Sequence, residues 1–149
     1  MANKSAYQPE GYQSVIPYLH VNGAAQLIAF MKEAFDATEI AVYPRPDGTV
    51  GHAALRIGDS VIELADVSPE WPAMPCALQI YVPDADAAYH RALKAGASSL
   101  LEPAKQFYGD RTASVRDGSG NNWYIATQME VVSREEVDKR IAAMAQHKE

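Results

Sequence analysis

The sequence has little of what several function classes require. Its one cysteine, Cys76, in 149 residues allows no intramolecular disulfide and no cysteine-based metal site. Basic charge is in deficit. Thirteen Lys and Arg against 19 Asp and Glu leave a formal charge of -6, which argues against a nucleic-acid phosphate surface or an anionic membrane as partner. No window approaches 18 consecutive apolar residues, and the opening MANKSAYQPEGYQS lacks an apolar leader core. The expectation is a soluble, cytoplasmic protein with a flexible arm over residues 1–11. Phosphate-cradling glycine loops, zinc-finger spacing and a nucleophile elbow are also missing.

What is present is enough apolar residue, 48%, for one well-buried core. One domain over 12–128 is expected, with a helical tail over 129–149. The most informative stretch is GHAALRIGDSVIELAD, 51–66, in which Gly58-Asp59 separates two alternating runs and predicts a two-residue hairpin turn. Ile57 then opposes Ser60, Leu55 opposes Ile62 and Ala54 opposes Glu63. Leu55, Ile57, Ile62 and Leu64 share an apolar face, while His52, Ala54, Arg56, Val61 and Glu63 share the other. His52 and Glu63 become diagonal neighbours, with Cβ atoms roughly 7 Å apart.

Around this hairpin the chain reads as strand, helix and three strands, twice over. SVIPYLHV (14–21) alternates as a strand whose Pro17 confines it to an edge. Asn22 is the expected cap of a helix with Ala25, Leu27, Ile28, Met31, Ala34 and Phe35 on one face. A strand follows at 38–44. After a proline-bearing connector at 67–75, strands are expected at 76–82, 98–102, 111–117 and 122–128, with a helix at 85–95 capped by Asp84. Val21 and Val82, Ala34 and Ala95, and Glu63 and Tyr124 each stand 61 residues apart, so modules 12–66 and 76–128 form a structural repeat. The fold class is α+β: two βαβββ modules building a cupped mixed sheet. The tail is a third helix, with Ser133 and Glu136 at capping-box spacing and a narrow stripe of Val137, Ile141 and Met144.

In each module the helix must cover one face of its strands, and the apolar sets say which. Leu19, Val21, Leu55, Ile62, Leu64, Leu78, Ile80, Val82, Val115 and Ile125 go beneath the helices. The opposite face collects Ile16, Tyr18, His20, His52, Glu63, Gln79, Tyr81 and Tyr124, a mixture of aromatic walls and few polar groups that suits a pocket for a small organic molecule. Glu63 is a candidate general base, since burial among tyrosines would raise its pKa, or it is a carboxylate bonded to His52 or a tyrosine. Arg111 either pairs with Asp110 to fix a loop or grips an acidic ligand.

The paired modules, the run IGDSVIELAD and the closing QFYGDRTASVRDGSGNNWYIAT resemble the vicinal oxygen chelate superfamily. The similarity is to its glyoxalase, bleomycin-resistance and dioxygenase branch and, within that, the PhnB-like subgroup. It extends over roughly 12–128. Metal-dependent members of that family place four ligands at positions that fall here on Ile16, Glu63, Ala77 and Tyr124, and only Glu63 of these binds metal. The resemblance therefore implies a protein without the family's metal or other cofactor, whose concave cavity takes a ligand through Tyr18, His52, Glu63, Gln79, Tyr81, Arg111 and Tyr124. The competing implication is a metal-dependent lyase or isomerase with relocated ligands such as His52 and Glu63. The resemblance also implies a homodimer whose subunits line each other's cavities.

Overall fold

The computed structural model describes residues 7–147, so the first six positions of the expected arm lie outside the described residues. Gly58 carries a positive φ of 57° at the first of two turn residues, as a II′ turn requires. From it β3 (Val50–Ile57) and β4 (Ser60–Asp66) run antiparallel in the expected register, Ile57 opposite Ser60 and Ala54 opposite Glu63. β1 (Tyr18–Val21) pairs parallel with β4, and β2 (Thr38–Pro44) pairs antiparallel with β3, giving the order β1-β4-β3-β2. The second module repeats this with β5 (Ala77–Tyr81), β6 (Ser98–Lys105), β7 (Asp110–Arg116) and β8 (Asn122–Gln128) in the order β5-β8-β7-β6. Tyr18 faces Glu63 in one sheet and Gln79 faces Tyr124 in the other, the offset of the sequence repeat.

β1 is shorter than the eight residues its alternation suggests, because Pro17 has no N–H to offer the ladder. Upstream of it the side chain of Gln13 takes over. Its amide donates to Val61 O at 2.7 Å and accepts from Val61 N at 3.0 Å, while Val15 is left exposed rather than turned inward. β6 is longer than expected. Pro103 is accommodated where the register with β7 slips between Leu101 and Ala104, so the loop shrinks to residues 106–109.

The caps separate local from distant causes. α2 (Ala85–Lys94) is capped by Asp84, which accepts from Ala87 N, and α3 (Arg134–Gln146) by Ser133, which accepts from Glu136 N, both as expected. For α1 (Ala24–Phe35) the expected cap Asn22 is not used. Gly23 holds that place with φ 82°, and the capping group comes from the end of β4: Asp66 Oδ1 accepts from Gly23 N and Ala24 N, and Oδ2 from Val50 N. One carboxylate thus joins α1 to the start of β3. Within α1 the buried face includes Ala24 and Phe30, with Ala25 exposed instead.

α1 and α2 pack on each other between the two sheets, and helix-facing residues from both sheets enter one core cluster. Trp123 of β8 is 1% exposed and lies against Phe35, ring centroids 4.8 Å apart, and Phe30 at 6.3 Å. Its indole N–H donates to Asp117 Oδ2, and the same buried carboxylate accepts from Ser119 N, Asn121 N and Asn121 Nδ2. The Asp117 turn, which the sequence offers only as a cluster of turn formers, is therefore a satisfied polar knot beneath the core tryptophan. α3 buries none of its residues. It is fastened through Arg140, which donates to Phe107 O at 2.9 Å and Glu130 Oε1 at 3.0 Å, and its Ile141 and Met144 stay exposed.

Replacing Asp66 by Ala strands three backbone donors at partly buried positions. It should destabilise the chain by about 2–4 kcal/mol, read as a lower urea midpoint at unchanged m-value; a change within ~0.5 kcal/mol would show the cap to be dispensable.

Candidate functional site

Because the helix sides of both sheets share one core, their other faces point outward in different directions, and the expected pocket residues divide into two groups. On the first module, Tyr18 and Glu63 are ladder partners, and His52 on β3 stands diagonal to Glu63. Side-chain contact is closer than the diagonal spacing alone requires. His52 Nε2 lies 3.3 Å from Glu63 Oε2, and His52 Nδ1 is 3.0 Å from the Tyr18 hydroxyl. The carboxylate beside Nε2 favours the proton on that nitrogen, which leaves Nδ1 to accept from Tyr18. Burial, then the Glu63 charge, pushes the Tyr18 phenol above the usual tyrosine range, against a smaller opposing pull from Arg45. Glu63, the candidate base, is thus committed first to His52.

Rings extend this cluster in both directions. Tyr43 of β2, the ladder partner of His52, stacks on it at 6.2 Å; Tyr18 lies 5.1 Å from His20, and His20 stacks on Trp71 at 5.4 Å and 10°. The result is a row of five rings, Tyr43, His52, Tyr18, His20 and Trp71, with both ends well exposed. Beside it a concavity of about 370 Å³ is lined by Tyr18, His20, Arg45, Asp66 and Trp71. Arg45 is held there by the carbonyls of Asp66 and Val67, and His20 Nδ1 is buried with no partner among the described residues. Tyr43, Arg45 and Trp71 are members that the sequence reading misses. The β2–β3 ladder would have revealed Tyr43, whereas Trp71 sits in the connector, where no periodicity points to it.

On the second module Gln79, Tyr81 and Tyr124 share the outward face as expected. Tyr81 donates to Asp110 Oδ2 at 2.8 Å, and that bond, ahead of burial, raises its pKa. Arg111 is not on this face. One residue along the strand from Asp110, it points to the helix side and clasps Asp86 of α2 through two bonds, at 2.6 and 2.9 Å. Its partner is therefore Asp86 and not the expected Asp110, and its fork is turned away from the face that carries Tyr81 and Tyr124. Between the modules, beside β5, runs a groove of about 740 Å³ that includes Gln79 and Tyr81 but none of Tyr18, His52 or Glu63. Leu78, Ile80 and Val82, expected beneath the helices, are only partly buried along it, because β5 is an edge strand.

His52 and Glu63 supply two metal-ligating side chains, and no third His, Cys, Asp or Glu completes a set among the described residues. A catalytic divalent ion held by the protein calls for about three. The donor set does not fit the metal that the fold's metal-dependent members carry.

Two titrations follow. The Arg111 hydrogen bond holds the Asp86 carboxyl below the usual aspartate range, so the stability it adds is present above the unfolded-state pKa and is lost as pH falls through the lower folded one. An Arg111→Ala chain should lose that acid-side step in a pH series of melting curves. Tyr18 and Tyr81 should ionise later than ordinary tyrosines in an alkaline ultraviolet titration, and the late component should shrink in Tyr18→Phe and Tyr81→Phe; an unchanged curve would count against both environments.

Comparison with known proteins agrees with this architecture. An uncharacterised protein of Mycobacterium bovis is 33% identical over 138 residues, covering 85% of this chain and 91% of that protein. Among solved structures, TioX from Micromonospora sp. ML1 superposes with a TM-score of 0.66 at 20% identity, covering 78% of this chain and 98% of TioX. TnmS3, an antibiotic binding protein from Streptomyces sp. CB03234, does so at 0.61 and 19%, covering 78% and 99%. At such identities these two show the fold alone. The family model for the glyoxalase/bleomycin resistance protein/dioxygenase superfamily matches residues 15–125, and the chain belongs to that superfamily.

Proposed function

We propose that this chain is a ligand-binding member of its superfamily, of the PhnB-like subgroup, which holds a small, planar organic molecule without a metal. The observation that carries the reading is the five-ring row from Tyr43 to Trp71 beside an open concavity. Exposed aromatic faces aligned on a strand surface offer stacking area at low entropic cost, and each ring contact contributes about 0.5–1.5 kcal/mol beyond burial. The antibiotic-binding description of TnmS3 supports a sequestering role by analogy of fold.

Each outward face is half a cup. A two-fold dimer would set the Tyr18–His52–Glu63 face of one protomer against the Gln79–Tyr81–Tyr124 face of the other, and the free edges of β1 and β5 are the places where two modules could join. The partners assigned are therefore a small molecule and a second copy of the chain. A metal-dependent lyase or isomerase is the competing reading, favoured by the 3.3 Å approach of His52 to Glu63 and requiring a third ligand from elsewhere. Metal analysis of untagged protein separates the two, since a near-stoichiometric tightly held divalent ion would replace the first reading by the second.

A thermal-shift screen of planar aromatic molecules should find ligands that stabilise the protein, and Tyr18→Ala or Trp71→Ala should weaken a confirmed ligand roughly 3- to 10-fold. Absence of any hit, or full retention of affinity in both variants, would end the reading. Light scattering at micromolar concentration should give twice the 16.2 kDa chain mass, and a monomer mass would remove the shared cup.

A further inference from the structure

Asp110 is only 4% exposed, yet its carboxylate receives one side-chain hydrogen bond, from Tyr81. The other carboxylates at comparable structural points are better supplied. Asp117 accepts from Ser119 N, from Asn121 N and Nδ2, and from Trp123 Nε1, and Asp66 accepts from three backbone N–H groups. No Lys, Arg or His approaches Asp110 within ion-pair distance among the described residues. Cations close in sequence are engaged elsewhere, Lys105 with Glu130, Arg111 with Asp86 and Arg116 with Asn122, and Arg140, which holds the loop, pairs with Glu130 and Glu136.

With Asp110 Oδ2 taken by the phenol and no cation in reach among the described residues, the other carboxylate oxygen is available to a further donor. The backbone holds Asp110 in a fixed place. Gly109 before it adopts φ 101°, and a Cβ there would stand 2.4 Å from Glu130 O, so only glycine lets the chain turn into β7 at this point. Met129 N and Glu130 N both donate to Gly109 O, and Arg140 holds Phe107 O, which fastens the loop on its far side. Asp110 shares the outward face with Tyr81 and Tyr124, and Tyr108 lies near enough to act on the ionisation of Tyr81. A fixed negative charge flanked by exposed tyrosine rings is the arrangement that receives an organic cation, by charge pairing and by ring quadrupoles together.

We propose that Asp110, with Tyr81 and Tyr108, is the anchoring site for the ammonium group of an amine-bearing organic ligand. The inference rests on the outward faces being ligand faces, and it adds the charge class: a cation on the second module's face, beside the planar body that stacks on the aromatic row.

The probes are benzyltrimethylammonium and phenethylamine, compared with the neutral benzyl alcohol and the anionic benzoate. They are titrated into the intact protein while the amide signals of residues 106–112 and the ring signals of Tyr81 and Tyr108 are followed by NMR. The expected result is saturable shifts for the two cations, at least tenfold tighter than for benzyl alcohol, with the preference abolished in Asp110→Asn. The ligand-free Asp110→Asn chain keeps the Tyr81 hydrogen bond and loses the unpaired charge, so its melting temperature should rise by a few degrees. Equal affinity for cation and alcohol, a preference that survives the substitution, or a fall in melting temperature would overturn the proposal. If planar ligands still stabilise the protein through Tyr18 and Trp71 while the cations show no preference, the ammonium site fails and the binding function stands. If the cations bind at Asp110 and no planar ligand depends on Tyr18 or Trp71, the aromatic row fails and the ammonium site stands.

Discussion

One constraint shapes the molecule: a single apolar core has to serve two sheets. With α1 and α2 packed on each other and Trp123 packed against the Phe30–Phe35 pair, the helix sides of both sheets are used up at once. The polar-aromatic faces are then forced outward in separate directions, and no side chain of one face bonds to the other among the described residues. A chain of this kind cannot close a cup upon itself, whichever residues line it. The chemistry on each face must be complete locally or be completed from outside, and the two faces have solved this differently. On the first, Tyr18, His52 and Glu63 bond to one another while the buried His20 Nδ1 has no partner among the described residues. On the second, the Asp110 carboxylate is bonded by Tyr81 and paired with no cation among the described residues.

Much of this was legible in the sequence where the cause lies within a few residues. The Gly58-Asp59 turn and the alternation on either side fix the β3–β4 register, because slipping it by one would turn Leu55 and Leu64 outward. Asp84 and Ser133 cap the helices that directly follow them. The face assignment of Tyr18, His52, Glu63, Gln79, Tyr81 and Tyr124 followed from strand period alone. What did not follow is whatever depends on a partner far along the chain. Asn22 is a good local cap, yet Asp66, 42 residues beyond the helix start at Ala24, reaches the same N–H groups from a rigid strand end and wins. Arg111 had a neighbouring carboxylate in Asp110, but adjacent residues on a strand face opposite ways, and α2 brings Asp86 to the side where Arg111 points.

The same logic explains why residues grouped as one outward face by the sequence lie on two separate faces of the chain. Strand period says which residues share a face but carries no information on how two sheets are turned relative to each other. That relation is set by Trp123 and the helix pair, through contacts between modules whose residues are separated by the whole connector. Trp71 shows the limit from another side: it completes the aromatic row from a segment with neither helical nor strand period, held by a turn in which Ser68 and Trp71 exchange backbone hydrogen bonds.

The Gln13 side chain has a consequence for how this protein behaves in a crowd. A strand that ends early on a proline leaves its neighbour's backbone groups facing solvent, an invitation to any extended segment from another molecule. By taking both the N–H and the C=O of Val61, the Gln13 amide fills that vacancy with a group that cannot itself be extended. A foreign strand arriving there finds no hydrogen bond to make, so this end of β4 is guarded against runaway edge pairing by a single glutamine.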